Sequence, residues 1–195
     1  MKILYAIFAM ALITACGGKK STESSEGSVL EGVQDIVSNA EDIAERQAAL
    51  KDMQPLGEQD FLSWAPNTFM SLPKKESTEK YLPMDKYGYS GYNTYYKGED
   101  KSIQLEVFDG AGSSIYSRYA GMLSTDAMSQ ERENYYEKNV ERDGTMVYEW
   151  YDSKRNDCAM MFIVSDRFVV NITGSGFPPD QIWENIGEFN LDKLN

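Results

Sequence analysis

Two apolar runs separated by a polar pair constrain this chain more than any other feature. Cys158-Ala-Met-Met-Phe-Ile-Val164 carries no charge, and after Ser165-Asp166 the residues Phe168, Val170 and Ile172 alternate with Val169, Asn171 and Thr173. The first run reads as a strand buried on both faces, and the polar pair as a two-residue loop, so the two form a β-hairpin. A strand apolar on both sides needs neighbours and cover, which places this hairpin at the centre of a sheet. Ile103, Leu105 and Val107 alternate with Gln104 and Glu106, and Met146, Tyr148 and Trp150 alternate in the same way. Residues 87–97 are rich in tyrosine and end at the turn Gly98-Glu99-Asp100. Short turns between neighbouring strands make them antiparallel. The expectation is an α+β domain, with an antiparallel sheet of about five strands and helices packed on one face.

The helices lie between and around these strands. Val29, Val33, Ile36, Ala40, Ile43 and Leu50 recur at helical spacing, with Gln47 interrupting, while Glu31, Asp35, Glu41, Glu45 and Lys51 take the other side. Ser28 and Glu31 fit a capping box, and Pro55-Leu56-Gly57 ends the run, giving an amphipathic helix over 29–54. Its stripe can pack on the domain or pair with a second copy as a short coiled coil. Phe61, Leu62 and Trp64 precede Pro66 as a short helix. Residues 71–85, with Pro73 and Pro83, read as loop. Ile115, Tyr119 and Met122 predict a helix over 113–123, residues 128–137 a second short one, and Pro178-Pro179-Asp180 opens a last helix with Ile182, Trp183 and Ile186. The globular domain is therefore 55–195.

The other end of the chain is of a different kind. After Met1-Lys2, residues 3–15 (ILYAIFAMALITA) are uncharged. They are too few for a transmembrane helix, which needs about 20 apolar residues, and have the size of a secretory h-region. The run closes on Ile13-Thr14-Ala15-Cys16, and GGKKSTESSEGS follows. This resembles the signal peptide and lipobox of bacterial lipoproteins. The resemblance implies a signal peptide at 1–15, cleavage before Cys16, a diacylglyceryl thioether on Cys16 and a further acyl chain such as palmitate on its amine. Residues 16–28 are then the lipidated cysteine and a flexible polar tether. Gly17 rather than aspartate after Cys16 favours the outer membrane over the inner. Residues 56–195, with Met161-Phe-Ile-Val-Ser-Asp-Arg-Phe-Val-Val170 and the tail Asn190-Leu-Asp-Lys-Leu194, also resemble domains of uncharacterised bacterial lipoproteins. That likeness implies a compact domain and transfers no site.

Chemistry is narrowed by what the composition lacks. The chain of 195 residues has no histidine and a formal charge of −12. That removes Ser-His-Asp and Cys-His nucleophiles and histidine zinc sites. An acidic chain is a poor partner for nucleic acid. With Cys16 lipidated, Cys158 lacks an intrachain partner and reads as a small buried hydrophobe. Tyr87, Tyr89, Tyr92, Tyr95 and Tyr96 are the candidate ligand-binding residues, either an aromatic platform for a glycan or peptide or cross-strand packing. Glu99-Asp100, Asp109, Glu131, Glu133, Glu137, Asp152 and Asp157 could supply carboxylates, but no EF-hand spacing is present and they read as solvated turns and faces. Asp109-Gly-Ala-Gly-Ser-Ser114 lacks the lysine of a P-loop and reads as a strand-to-helix turn. No metal or cofactor is expected, and no catalytic residue is assigned. The expected function is a lipid-anchored cell-envelope protein, held at the membrane by its lipid, that binds an envelope protein or glycan or maintains the envelope without catalysis. The alternatives are a carboxylate-dependent enzyme on envelope polymers and a small-ligand carrier.

Overall fold

A computed structural model describes residues 26–125 and 129–194, with side chains from residue 39 onward. The expected signal peptide, Cys16 and most of the expected tether lie outside the described residues. Five helices are present among them: α1 (Glu26–Lys51), α2 (Glu58–Trp64), α3 (Met84–Tyr87), α4 (Ile115–Leu123) and α5 (Pro179–Glu184). The strands are β1 (Thr68–Phe69), β2 (Leu72–Pro73), β3 (Lys80–Leu82), β4 (Ser90–Lys97), β5 (Ser102–Asp109), β6 (Gln130–Arg132), β7 (Tyr135–Arg142), β8 (Thr145–Asp152), β9 (Asp157–Val164) and β10 (Phe168–Ser175). β1 and β2 form a small ribbon of their own, and the other eight make one sheet in the order β3-β4-β5-β10-β9-β8-β7-β6.

The α+β class and the antiparallel sheet hold, and the paired strands β9 and β10 occupy its middle. The sheet has eight strands rather than five. β3 lies in the segment read as loop, and β6 and β7 replace the helix expected over 128–137. β6 is exposed and β7 mostly half-buried, so neither shows the apolar alternation that marks a strand packed on a core. The loop between β9 and β10 has three residues, 165–167, with Ser165 and Asp166 both at positive φ. Ser28 falls inside α1 rather than at its cap.

Helices cover both faces, not one. On the first face, Ile103, Leu105, Val107, Met160, Phe162, Phe168, Val170 and Ile172 meet Phe61 of α2, Phe69 of β1, Ile182 of α5 and Phe189 in one buried cluster. Phe69 and Phe189 stack with ring centres 3.9 Å apart. On the second face, Phe108, Met161 and Val169 pack under Ile115 and Leu123 of α4. Each fully buried large side chain of this kind contributes about 1.5–3 kcal/mol of transfer free energy. Above α4 lies the C-terminal part of α1, where Leu50 is fully buried against Tyr116 and Ala120. The Gln47 that breaks the apolar stripe has a specific task. Its side-chain oxygen accepts from the Ser117 N–H at 3.0 Å and its amide donates to the Ser113 carbonyl, closing the first turn of α4. Arg46 donates to the carbonyls of Asp166 (2.7 Å) and Ser165 (3.1 Å), which fastens α1 to the central hairpin as well.

Candidate functional site

The five tyrosines do not form one platform. Tyr92 and Tyr96 point into the first-face core and are fully buried. Tyr92 donates to Glu79 and Tyr96 to the Pro66 carbonyl. Burial, together with the Glu79 carboxylate, raises both phenols far above their ordinary range. Tyr95 is 37% exposed on the opposite side of the same strand. Tyr87 ends the helix α3, not a strand, and lies 6.3 Å from the ring of Tyr89, which meets Phe108 edge-on at 5.2 Å. The ammonium groups of Lys80 and Lys86 lie 5.7 and 5.2 Å from the Tyr87 ring centre.

Of the candidate carboxylates, Asp109, Asp152 and Asp157 are occupied by partners of the fold. Asp109 is fully buried and accepts from Arg167 Nε and Nη2, both at 2.7 Å, from the Leu56 N–H at 2.8 Å and from the Ala111 N–H at 2.9 Å. The glycine-rich turn after β5 is thus organised by its own aspartate, and its helix end is capped by Gln47, which leaves no anion cradle there. Asp152 and Asp157 face each other across the β8–β9 turn and share Arg155, at 2.9 and 3.5 Å. Glu149, 2% exposed, accepts from Tyr136 and from Arg142, which also reaches Asp180 at 2.9 Å. Burial pushes the Cys158 thiol up to about 12, so it is an inert core side chain. Among the described residues no group of three or more cysteine or acidic side chains is placed to hold a metal ion.

Two of the open surfaces among the described residues bring candidate groups together. The first is the half of the second sheet face that α4 leaves uncovered. The pairing register puts Tyr95, Gln104, Thr173, Ala159, Trp150 and Glu137 in one row across six strands from β4 to β7, with Asn93, Glu106 and Asn171 beside them. Trp150 stacks on Tyr135 at 6.3 Å, and Glu137 accepts from the hydroxyls of Tyr135 and Tyr148. Sequence reading singled out only Tyr95 and Glu137 from this row. The second surface is a crevice of about 560 Å³ between α1, α4 and the β7–β8 and β9–β10 turns. Ile43, Ala120, Leu123 and Ile163 line it, with Asp42, Arg46, Tyr116 and Asp166 among its polar groups. Sequence reading missed this site because its walls come from elements more than 100 residues apart.

The chain matches no family model, no curated protein and no solved structure. Among the described residues no helix is long and apolar enough to cross a membrane.

Proposed function

We propose that this is a lipid-anchored cell-envelope protein, tethered through Cys16, whose folded domain binds a ligand and does not catalyse a reaction on it. The observation that carries the second half is how the buried carboxylates and those of the open sheet face are used. The buried ones are each neutralised by a cation of the fold, Asp109 by Arg167 and Glu149 by Arg142. Glu106 and Glu137 on the open sheet face stand four strands apart. At about 4.8 Å per strand that is about 19 Å, far beyond the roughly 5–9.5 Å that paired-carboxylate hydrolysis uses. What the surface does offer is an apolar crevice of the volume usual for small-ligand sites, with a few convergent polar groups. The anchor rests on Ile13-Thr14-Ala15-Cys16 and the uncharged run before it.

The test is incubation of the purified full chain, in detergent, with insoluble envelope polymers of a Gram-negative host. No soluble fragment is expected to be released above the level seen without protein. Release that disappears in Glu106→Gln, Glu137→Gln, Asp42→Asn or Asp166→Asn would overturn the non-catalytic reading.

A further inference from the structure

The crevice holds an unspent phenol. The ring of Tyr116 is buried, the residue being 8% exposed, while its hydroxyl, which has no hydrogen-bond partner among the described residues, is not one of the buried polar atoms and is open to the crevice. The hydroxyl sits within electrostatic reach of three charged side chains in the same crevice. Burial and then Asp166 raise its ionisation above the ordinary phenol range, Arg46 works against them, and Asp42 adds to the rise. Arg46 uses Nε and one Nη2 hydrogen on backbone carbonyls. A guanidinium has five N–H donors, so the others remain open, and Arg46 has no carboxylate partner among the described residues. Asp42 comes from α1 and Asp166 from the β9–β10 turn, and neither side chain is paired among the described residues. The crevice therefore presents two kinds of free donor, two free carboxylates and an apolar lining of Ile43, Ala120, Leu123 and Ile163.

We propose that this crevice binds a small zwitterion with an apolar side group, an apolar amino acid or short peptide. Its carboxylate accepts from the Tyr116 hydroxyl and the open Arg46 N–H groups, its ammonium lies against Asp42 and Asp166, and its side group covers Leu123 and Ile163. Charge complementarity selects this class. A fatty acid would satisfy the donors but bring its carboxylate toward two others. An alkylamine would meet the carboxylates and leave Tyr116 and Arg46 unsatisfied. Only a ligand of both signs closes all four groups.

The proposal rests on reading the domain as a binding module, and calorimetry on the detergent-solubilised full chain separates the two. The probe is the dipeptide Leu-Leu, with N-acetyl-Leu-Leu, Leu-Leu amide, hexanoate and hexylamine as comparisons. Leu-Leu is expected to bind, and each singly charged comparison to bind at least about tenfold more weakly, since each lacks one charge-assisted contact. Tyr116→Phe keeps the ring and its packing and is expected to weaken Leu-Leu about five- to tenfold with an unchanged melting temperature. Asp166→Asn should weaken Leu-Leu and leave N-acetyl-Leu-Leu unaffected. Absence of Leu-Leu binding, equal binding of the singly charged comparisons, or indifference to Tyr116→Phe would overturn the proposal. Hexanoate or hexylamine binding better than Leu-Leu would overturn the zwitterion and keep the binding module. Conversion of Leu-Leu to leucine would instead overturn the non-catalytic reading.

Discussion

Asp109 is the residue on which most separate parts of the chain converge. Its carboxylate joins the end of β5, the start of α2 through Leu56, the glycine-rich turn through Ala111 and the central hairpin loop through Arg167. Arg167 also donates to the Gln54 carbonyl at 3.1 Å, so removal of Asp109 strands a mostly buried guanidinium and two backbone donors. Breaking one side of a buried pair costs about 3–5 kcal/mol, and Asp109→Ala is expected to lose that much in urea unfolding. A loss under about 1 kcal/mol would mean that water replaces the carboxylate without penalty. The buried phenols set the alkaline limit. Burial first, and then hydrogen bonds to Glu79, Glu149 and Glu137, raise Tyr92, Tyr136 and Tyr148 well above the ordinary value of 10.0. Above pH 10 the unfolded chain has released phenolic protons that the folded chain still holds. The stability these groups supply is thus complete below that pH and falls as pH climbs toward their folded values. Urea midpoints at about pH 8 and 10.8 should therefore differ, with the alkaline one lower, and Tyr136→Phe should narrow the gap. Equal midpoints at the two pH values would show that the phenols are not held neutral by the fold.

Among the elements, α1 takes the first of its two expected roles and packs on the domain through its C-terminal turns. Its periodicity is legible in the sequence, and Gln47 looks there like a flaw in the stripe. In the fold that glutamine caps α4, Leu50 is buried, and the Leu50 carbonyl accepts from the Gly112 N–H at 2.9 Å. Gln47→Ala should cost about 0.5–2 kcal/mol, the usual loss for a helix cap, in urea unfolding. An unchanged midpoint would mean that α1 only rests on the domain. The central hairpin was legible because one chain segment carries its whole signal. Phe162 and Val169 are 1% and 0% exposed on opposite faces, and Phe162→Ala should lose about 3–5 kcal/mol by the same measurement. A loss below about 0.5 kcal/mol would contradict the burial. Elsewhere the local pattern misled for identifiable reasons. In β8 the alternation of Met146, Tyr148 and Trp150 marks the strand but not its core side, which carries Val147 and Glu149 while Met146 is 43% exposed. A glutamate can face the core there because Arg142 and Tyr136, on β7, close over it. β7 itself escaped notice because it lies near the sheet edge, next to the short β6, and buries little. The tyrosine cluster was visible as composition, but a period of two sends Tyr95 and Tyr96 to opposite faces, so nearness in sequence gave no shared surface. The crevice had no local signal, since Tyr116 and Ala120 lie on the side of α4 that turns from the sheet toward α1.

The whole molecule is acidic, with a formal charge of −12, and the proposed anchor lies at its N-terminal end. α1, of 26 residues, is about 39 Å long at 1.5 Å per residue, and its last turns are bolted to α4 and the hairpin loop. A pull on the N-terminus therefore reaches the domain beside the crevice. Cleavage before Cys16 would remove Lys2 as the only charge, taking the formal charge from −12 to −13. A body of that sign is repelled by anionic lipid, so electrostatics cannot hold it to a membrane surface. Among the described residues there is also no helix fit to cross one. In the proposed lipoprotein the attachment is made by acyl chains on Cys16, where each buried CH₂ is worth about 0.8 kcal/mol and two or three chains anchor stably. Acyl burial is not screened by salt, in contrast to charge pairing. In its own host the wild-type protein should incorporate radiolabelled fatty acid, stay with membranes through a high-salt wash and leave them in detergent. Cys16→Ala should take up no label and accumulate as an uncleaved precursor. Failure of the wild type to take up label would remove the anchor, and with it the assignment to the envelope, while leaving the fold and its crevice untouched.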